Sequence, residues 1–212
     1  MSLKQLLIKH RDQFGPILPE DQQFGRAIII DCSQPLQPNL KRFQDYELEI
    51  GRYAEQRVIY DDYQQDEKNY RNIHLGIDLG VPEYTSVFTP FEATVHSFAD
   101  NNQPGDYGPT IILQHVLDNH IFYTLYGHLS RQSLKSLRTG SVIKKGQLFA
   151  TIGSENENGG WPSHLHFQVI HEITDDCPGN YPGICSKQEL AYYLEQCPNP
   201  NILLNLPALK DE

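Results

Sequence analysis

From residue 73 onward, the sequence consists of short runs in which apolar and polar residues alternate, separated by glycine, proline or Asn/Asp turns. Successive side chains of a strand point to opposite faces, so this alternation is typical of strands that bury one face. The pattern predicts a mainly β fold, an antiparallel sheet or sandwich. The predicted strands are Ala93 to Ala99, Thr110 to Val116, Ile121 to His128 and Trp161 to Ile170.

Turn residues connect these runs. The segment 117–120, Leu-Asp-Asn-His, predicts a hairpin connection because Asp and Asn tolerate the backbone of tight turns. Residues 142–152, interrupted by Gly146, predict a second hairpin. Short helices are expected at both ends of the chain, over 2–13 and 187–196.

The patterns divide the chain into three parts. Residues 1–72 form an N-terminal extension with a helix, a strand over Ala27 to Ile30 and a role as a groove cap; within it, 40–55 fits helix or strand equally. Its acidic end, 60–72, predicts a linker or surface loop. Residues 73–172 are the expected domain, and 173–212 a loop and helix that pack on it.

Composition excludes several classes of function. The 212 residues suffice for a buried core without a stapling metal. A net charge of −10 argues against nucleic acid or an anionic membrane as a partner and leaves a peptide, a sugar or a cationic partner. No stretch has the apolar length of a secretory signal or a membrane span, so we expect a cytoplasmic protein. Oligomeric state stays open.

The cysteines do not predict a metal site. They are far apart and include no C-x-x-C pair, which argues against a cysteine zinc site or a redox motif. We expect free, mostly buried thiols. The four are Cys32, Cys177, Cys185 and Cys197.

Histidines occur in the stretch GGWPSHLHFQV, residues 159–169. In a strand, His164, His166 and Gln168 share one face and the apolar residues between them share the other. By itself, a His-x-His pair is commonly just the polar side of an edge strand.

Two further segments show the same division into a histidine-bearing face and an apolar face. If NIHLGIDLG (72–80) is extended, His74 and Asp78 lie on one face with Gly76 between them, and the glycine leaves room for a metal. In YTLYGHLS (123–130), His128 is expected to share a face with Tyr126 and Thr124. Two imidazoles and a carboxylate with one open position are typical of a catalytic zinc site, which activates water and polarises a carbonyl.

Three motifs, in this order, resemble those of the lysostaphin-type (LytM-like) zinc metallopeptidases, many of which cut peptide cross-links of bacterial cell walls. The motifs are His-x-Gly-x-Asp (74–78), Tyr-Gly-His-Leu (126–129) and His-Leu-His-Phe (164–167), and the resemblance covers about residues 73–171. It implies the duplicated hybrid motif, or barrel-sandwich hybrid, as the fold. The wider pattern, from SFADNNQPGDYGPTIIL to CPNPNILL, resembles modules associated with aminotransferase multidomain proteins.

The resemblance also implies roles for individual residues. His74, Asp78 and His166 would bind one Zn²⁺ per chain, His164 would be the general base, and His128 would stabilise the oxyanion or assist proton transfer. A groove walled by 60–72, 100–108 and 155–163 would hold the peptide. The segment ENENGGWPS (155–163) departs from the family's Ser-Thr-Gly-x pattern, so Trp161 either touches substrate or covers the sheet edge. The remaining histidines are expected to be structural or superficial: His10, His96, His115, His120 and His171.

Three functions follow as hypotheses. The first is a zinc metallo-endopeptidase that hydrolyses a small or cell-wall-derived peptide through metal-activated water. The alternative is a catalytically silent, zinc-containing binding or regulatory module of the same fold. The third is a histidine phosphocarrier of related architecture, against which the chelating arrangement of His74 and Asp78 speaks.

Overall fold

Twelve strands dominate the computed structural model, which describes residues 1–35, 47–60, 70–174 and 178–209. In chain order they are β1 (Ala27–Ile30), β2 (Leu48–Gly51), β3 (Arg71–His74), β4 (Ile77–Gly80), β5 (Ser86–Phe88), β6 (Ala93–Asn101), β7 (Gly108–Leu117), β8 (His120–Gly127), β9 (Val142–Ile143), β10 (Leu148–Thr151), β11 (Leu165–Ile170) and β12 (Ile184–Ser186).

Eight of these strands form one sheet, in the order β1-β2-β4-β11-β8-β7-β6-β9. Only the pairing of β1 with β2 is parallel among its described strand pairs; the others are antiparallel. Two antiparallel pairs, β5 with β10 and β3 with β12, complete the β structure. The predicted mainly β, antiparallel fold class is confirmed.

The helices are short. They are α1 (Leu3–Lys9), α2 (Glu20–Gln23), α3 (Arg131–Leu134), α4 (Leu190–Gln196) and α5 (Asn201–Leu204), with 3₁₀ turns at Arg11–Gln13 and Pro207–Leu209. A capping box starts α1: Gln5 donates its N–H to the Ser2 hydroxyl, and Ser2 donates its own to the Gln5 side chain. Within the described residues, every helix is too short or too polar to span a bilayer.

Both faces of the large sheet are buried. Leu165, Phe167 and Val169 of β11 lie in the main core, as the alternation predicts. On the opposite face, Ile112, Leu125 and Ile170 form a smaller cluster. The N-terminal strands β1 and β2 extend the same sheet beside β4, so the N-terminal extension shares its sheet with the domain.

The prediction of a hairpin over 142–152 is wrong. Val142 pairs with Thr94 of β6, whereas Leu148 to Thr151 pair with β5 in a different sheet. Gly146, at φ +72°, turns the chain between the two layers. Ile143 and Ala150 both lie in the main core, although their strands belong to different sheets. The apolar–polar alternation of the sequence is therefore the same as that of a hairpin.

The end of β8 also differs from its prediction. Tyr126 is fully buried in the main core, and Leu125 lies on the other face. The strand ends at Gly127, and His128 adopts φ +61°, a left-handed backbone that breaks the alternation. His128 therefore lies near His166, on the opposite side of the sheet from Tyr126.

Several predictions lie wholly or partly outside the described residues, including most of the 60–72 loop, residues 40–46 of the uncertain segment, and Cys177. The described end of that uncertain segment is strand β2. The three described cysteines are free and buried, as expected: Cys32, Cys185 and Cys197.

The β7–β8 hairpin offers a test of its turn. Asp118 and Asn119 have φ of 46° and 62°, as the two-residue primed turn requires. We expect Asn119→Gly to leave the free energy of unfolding within about 0.5 kcal/mol of wild type, because glycine adopts this backbone freely. Asn119→Val should lower it by about 1–2 kcal/mol. Urea denaturation measures both, and equal stability of the two variants would contradict the turn assignment.

Candidate metal centre

The antiparallel register of β4 and β11 brings two predicted ligands together. His166 pairs directly with Asp78, and on its other side it pairs with Gly127 of β8. A Cβ atom added to Gly76 would lie 2.6 Å from Cε1 of His166. Glycine at position 76 therefore leaves the space that the His166 ring occupies.

His74 reaches the same point from a different sheet. It ends β3, and the chain then crosses through Leu75 and Gly76 into β4. His74 Nε2 lies 2.9 Å from His166 Nδ1 and 3.2 Å from Asp78 Oδ1, and His166 Nδ1 lies 3.1 Å from the same oxygen. Among the described residues, these three form the cluster that could hold a metal ion.

Hydrogen bonds on the far side of each ring determine its tautomer. His74 Nδ1 lies 3.0 Å from the carbonyl of Arg52, which can only accept, so this nitrogen carries the proton. His166 Nε2 lies 2.9 Å from Gln168 Oε1, and the Gln168 amide nitrogen donates to the carbonyl of Pro182 at 3.1 Å. The remaining ring nitrogens therefore direct lone pairs toward Asp78 Oδ1, and no proton donor stands between these three atoms.

This donor set fits zinc. Two imidazole nitrogens and a carboxylate oxygen are a known ligand set of catalytic zinc, and outer hydrogen bonds of this kind orient ligating histidines. Tetrahedral zinc with bonds of about 2.0–2.2 Å separates its ligand atoms by about 3.3–3.5 Å. The 2.9–3.2 Å separations here are within a few tenths of an ångström of that geometry.

The charges of the site also suit a cation. Burial raises the pKa of the Asp78 carboxyl, but His74, Arg57 and His164 outweigh it and hold that pKa well below its ordinary value. Burial, with Arg57 nearby, lowers the pKa of His74 to about 4. At neutral pH the cluster therefore presents one carboxylate and a neutral His74 imidazole.

His128 and His164 lie beside this cluster, with ring centroids 4.2 Å apart. His128 Nδ1 donates to the carbonyl of Asn158 at 2.8 Å, and His164 Nδ1 donates to that of Pro162 at 2.7 Å. Nε2 of each ring thus keeps a lone pair, and that of His164 lies 3.9 Å from Asp78 Oδ1. Burial lowers the pKa of both, so both rings are neutral bases at neutral pH.

A cavity of about 690 Å³ is lined in part by Asp78, His128, His164 and His166. The predicted wall segments contribute Tyr60, Arg71, residues 103–107 and Trp161. Trp161 donates its indole N–H to the carbonyl of Asp106 at 3.2 Å, which places it in the wall. One further wall, Asn180–Ile184, went unpredicted. The N-terminal extension, expected as a groove cap, contributes residues around Cys32 and Ile59 to the cavity lining.

Sequence reasoning missed the residues that support the cluster. Alternation places Gln168 on the correct face, two residues after His166, but assigns it no role. Arg57 donates to Asp78 Oδ2 at 2.5 Å, but no sequence pattern indicates this contact. The two residues are 21 positions apart, and only the folded structure brings them together. The backbone carbonyl of Arg52 has no sequence signature at all.

The other histidines lie outside the cluster. His115 is buried, with its ring nitrogens 3.0 Å from the Glu92 carbonyl and 2.7 Å from the Thr124 hydroxyl. His10 pairs with Asp118 at 2.8 Å. His96, His120 and His171 are partly or fully exposed.

Comparison with known proteins identifies the domain. The model of peptidase family M23 matches residues 72–176. These residues form a domain of peptidase family M23. The resemblance to lysostaphin-type metallopeptidases is thereby confirmed at the level of the family, whereas the aminotransferase-associated subgroup stays a prediction. No curated protein matches the chain.

Solved structures similar to this chain include three peptidases. A zinc containing peptidase from Vibrio cholerae is 25% identical over 46% of this chain and 27% of its own, with a TM-score of 0.38. A catalytic-domain mutant of the prophage-encoded M23 protein EnpA from Enterococcus faecalis is 21% identical over 51% and 76%, with a TM-score of 0.40. The catalytic domain of lysostaphin from Staphylococcus simulans is 18% identical over 66% and 98%, with a TM-score of 0.39. The chain thus spans about a quarter of the Vibrio peptidase.

We expect His115, which lies outside the cluster of His74, Asp78 and His166, to make the stability of the M23 domain depend on pH. Burial lowers its pKa to about 4, so between pH 6.5 and pH 4 the unfolded chain binds a proton that the folded chain does not. This contribution is complete above pH 6.5 and is lost as the pH falls toward 4, by up to about 3 kcal/mol. Urea titrations from pH 4.5 to 8 should show a shallower loss for His115→Gln than for wild type. Parallel curves would contradict the burial of a neutral His115.

Proposed function

We propose that this chain is a zinc-dependent endopeptidase and that it hydrolyses its substrate in the cavity lined by Asp78, His164 and His166. The observation that carries the proposal is the convergence of two buried imidazole nitrogens and a partly buried carboxylate oxygen within 3.2 Å of one another, with each ring's other nitrogen bonded to an acceptor outside the cluster. Buried acceptors that face one another without a donor are costly, and a cation removes that cost. The family membership of residues 72–176 supports the same conclusion.

The three ligands would be His74 through Nε2, Asp78 through Oδ1 and His166 through Nδ1. Zinc bound there would supply Lewis acidity toward a carbonyl oxygen and acidify a water molecule. The carbonyl of Arg52 and the amide of Gln168 hold the two rings in the tautomers that this role requires. Each histidine ligand therefore has a second hydrogen bond that orients it.

His164 is the proposed general base. Its Nδ1 proton is engaged by Pro162, so its Nε2 lone pair is free to accept a proton from the attacking water. The resulting imidazolium can donate that proton to the leaving amine. Its neutral state at neutral pH suits the first step, because a protonated ring could not accept.

His128 is proposed to assist proton transfer. Its Nδ1 donates to Asn158, so neutral His128 has no N–H to offer at Nε2. It can stabilise an oxyanion only after it has gained a proton, and of the two roles implied by the resemblance, proton transfer fits its resting state better. Its left-handed backbone at φ +61° is a strained conformation of the kind that clusters at functional sites.

The cavity supports a short, flexible peptide as substrate, and we propose one derived from a cell-wall cross-link. A volume of about 690 Å³ lies in the range of sites for small ligands. Aromatic side chains line it from several segments and would pack against the peptide: Tyr60, Tyr107, Trp161 and Tyr181. The proposal of a wall-derived peptide rests on the family resemblance.

The experiment combines metal analysis with cleavage of defined peptides. Purified protein should bind one zinc per chain by elemental analysis and cleave members of a panel containing Gly-Gly and D-amino-acid linkages. We expect His164→Ala to keep its zinc and to lose about 10²–10⁴-fold in kcat, because it removes only the proton acceptor. His128→Ala should keep zinc and also lose turnover, whereas His166→Ala should lose zinc.

His120→Ala is the matched control, because His120 is an exposed histidine on β8 outside the cavity. It should match wild type in zinc content and kcat. Zinc-loaded wild type that cleaves nothing in the panel would favour the binding module instead. A wild-type protein that takes up no zinc would overturn the proposal, and a fully active His164→Ala would remove His164 from its role.

A further inference from the structure

Arg57 belongs to the N-terminal extension, outside the residues that match the M23 family. Its segment is hydrogen-bonded along the strand that ends in His74: Ala54 donates its N–H to the His74 carbonyl at 2.8 Å, His74 donates to that of Glu55 at 3.0 Å, and Arg57 donates to that of Asn72 at 2.8 Å. These hydrogen bonds fix the backbone of the extension against the strand that carries His74, a predicted metal ligand.

The Arg57 side chain is almost fully buried, with 1% exposed. Its Nη1 donates to Asp78 Oδ2 at 2.5 Å, while Oδ1 of the same carboxylate faces His74 and His166. Arg57 thus holds the carboxylate oxygen that the metal cluster leaves unused. A carboxylate fixed at one oxygen by a planar guanidinium presents the other in a defined direction.

Other acceptors fix Arg57 itself. Nε donates to Glu55 Oε2 at 3.1 Å, Nη2 to the carbonyl of Arg52 at 3.3 Å, and Nη1 also to the Tyr60 hydroxyl at 3.3 Å. Glu55 Oε2 offsets the guanidinium charge of Arg57, which would otherwise repel a divalent cation beside Asp78. Glu55 also pairs with Arg52 at 3.0 Å, and Arg52 lies 3.6 Å from Asp31, so these two arginines and two carboxylates together carry no net charge. The arrangement therefore orients a ligand without adding net charge to the site.

Gly51 makes this contact sterically possible. A Cβ atom at position 51 would lie 2.6 Å from Arg57 Nη2 and 3.2 Å from Asp78 Cβ. The Gly51 backbone is ordinary strand, paired with Asp78, so the glycine serves close approach and not an unusual backbone angle.

We propose that Arg57 is a positioning residue for the metal ligand Asp78, so that the segment 52–60 is part of the metal centre. This proposal rests on the proposed function, because it assumes that Asp78 binds zinc. It makes the N-terminal extension a determinant of zinc affinity as well as a wall of the cavity.

The test measures zinc affinity of the full chain by competition with a chromophoric chelator. Arg57→Ala should raise the Kd for zinc about 10–100-fold, as removal of an outer-shell partner does. Arg57→Lys, which can donate to Asp78 but not to all four acceptors, should lose less. Gly51→Ala displaces the guanidinium without removing a charge, and it should weaken zinc binding in the same direction. Arg26→Ala, which breaks the exposed Arg26–Glu47 pair of the same extension, is the matched control and should leave the Kd unchanged.

A double-mutant cycle separates positioning from general structural support. In an Asp78→Ala background, Arg57→Ala should weaken zinc binding no further, because its target is gone. An equal loss in both backgrounds, or an unchanged Kd for Arg57→Ala, would overturn the proposal while leaving zinc binding by the wild type intact. If Arg57→Ala does not fold, Arg57→Lys and Gly51→Ala test the same contact, and an unchanged Kd for both would overturn the proposal. A wild type that binds no zinc would instead refute the proposed function, and this proposal with it.

Discussion

The site depends on one cross-strand pairing, that of His166 in β11 with Asp78 in β4. Side chains opposite each other in an antiparallel pair stand on the same face at close range, so this register alone places an imidazole against a carboxylate. A shift of β11 by one residue relative to β4 would send His166 into the main core, where Phe167 and Leu79 now pack, and would leave Asp78 on the other face. Burial of the apolar face therefore holds the polar face in register, and the core specifies how His166 and Asp78 face each other.

Outer hydrogen bonds convert that proximity into a donor set. Two histidines and a carboxylate could equally form a closed hydrogen-bonded network if a ring proton faced inward. The carbonyl of Arg52 and the amide of Gln168 draw both ring protons outward instead. Gln168 is in turn held by Pro182 and by the thiol of Cys197, so a C-terminal loop takes part in this choice of tautomer. The cluster is thus supported from segments before and after the strands that carry it.

Local patterns predicted much of this arrangement, and non-local pairing accounts for what they missed. Alternation in 164–169 identified the two faces of β11, and the Asp118–Asn119 turn located a hairpin. His128 lies beside the cluster, but not through the predicted geometry, because alternation presumes a continuous strand and the strand ends at Gly127. The prediction that β9 and β10 form a hairpin was wrong for a related reason. Alternation of apolar and polar residues shows which face of a strand is buried but not which strand it pairs with. Arg57 was invisible, because a surface arginine and a buried one look the same in sequence.

A buried arginine needs a physical reason, because taking a guanidinium out of water is costly unless every contact is good. Arg57 satisfies that condition because its guanidinium donates to two carboxylates, a phenol and a carbonyl. Each of its three nitrogens therefore has an acceptor within the protein. A hydrophobic residue would fill the same space at less cost but would leave Asp78 free to rotate and would remove a partner of Glu55. Stability alone therefore does not account for this residue. Its geometry is explained by the carboxylate it faces, and that carboxylate in turn by the metal ion that we propose it binds together with His74 and His166.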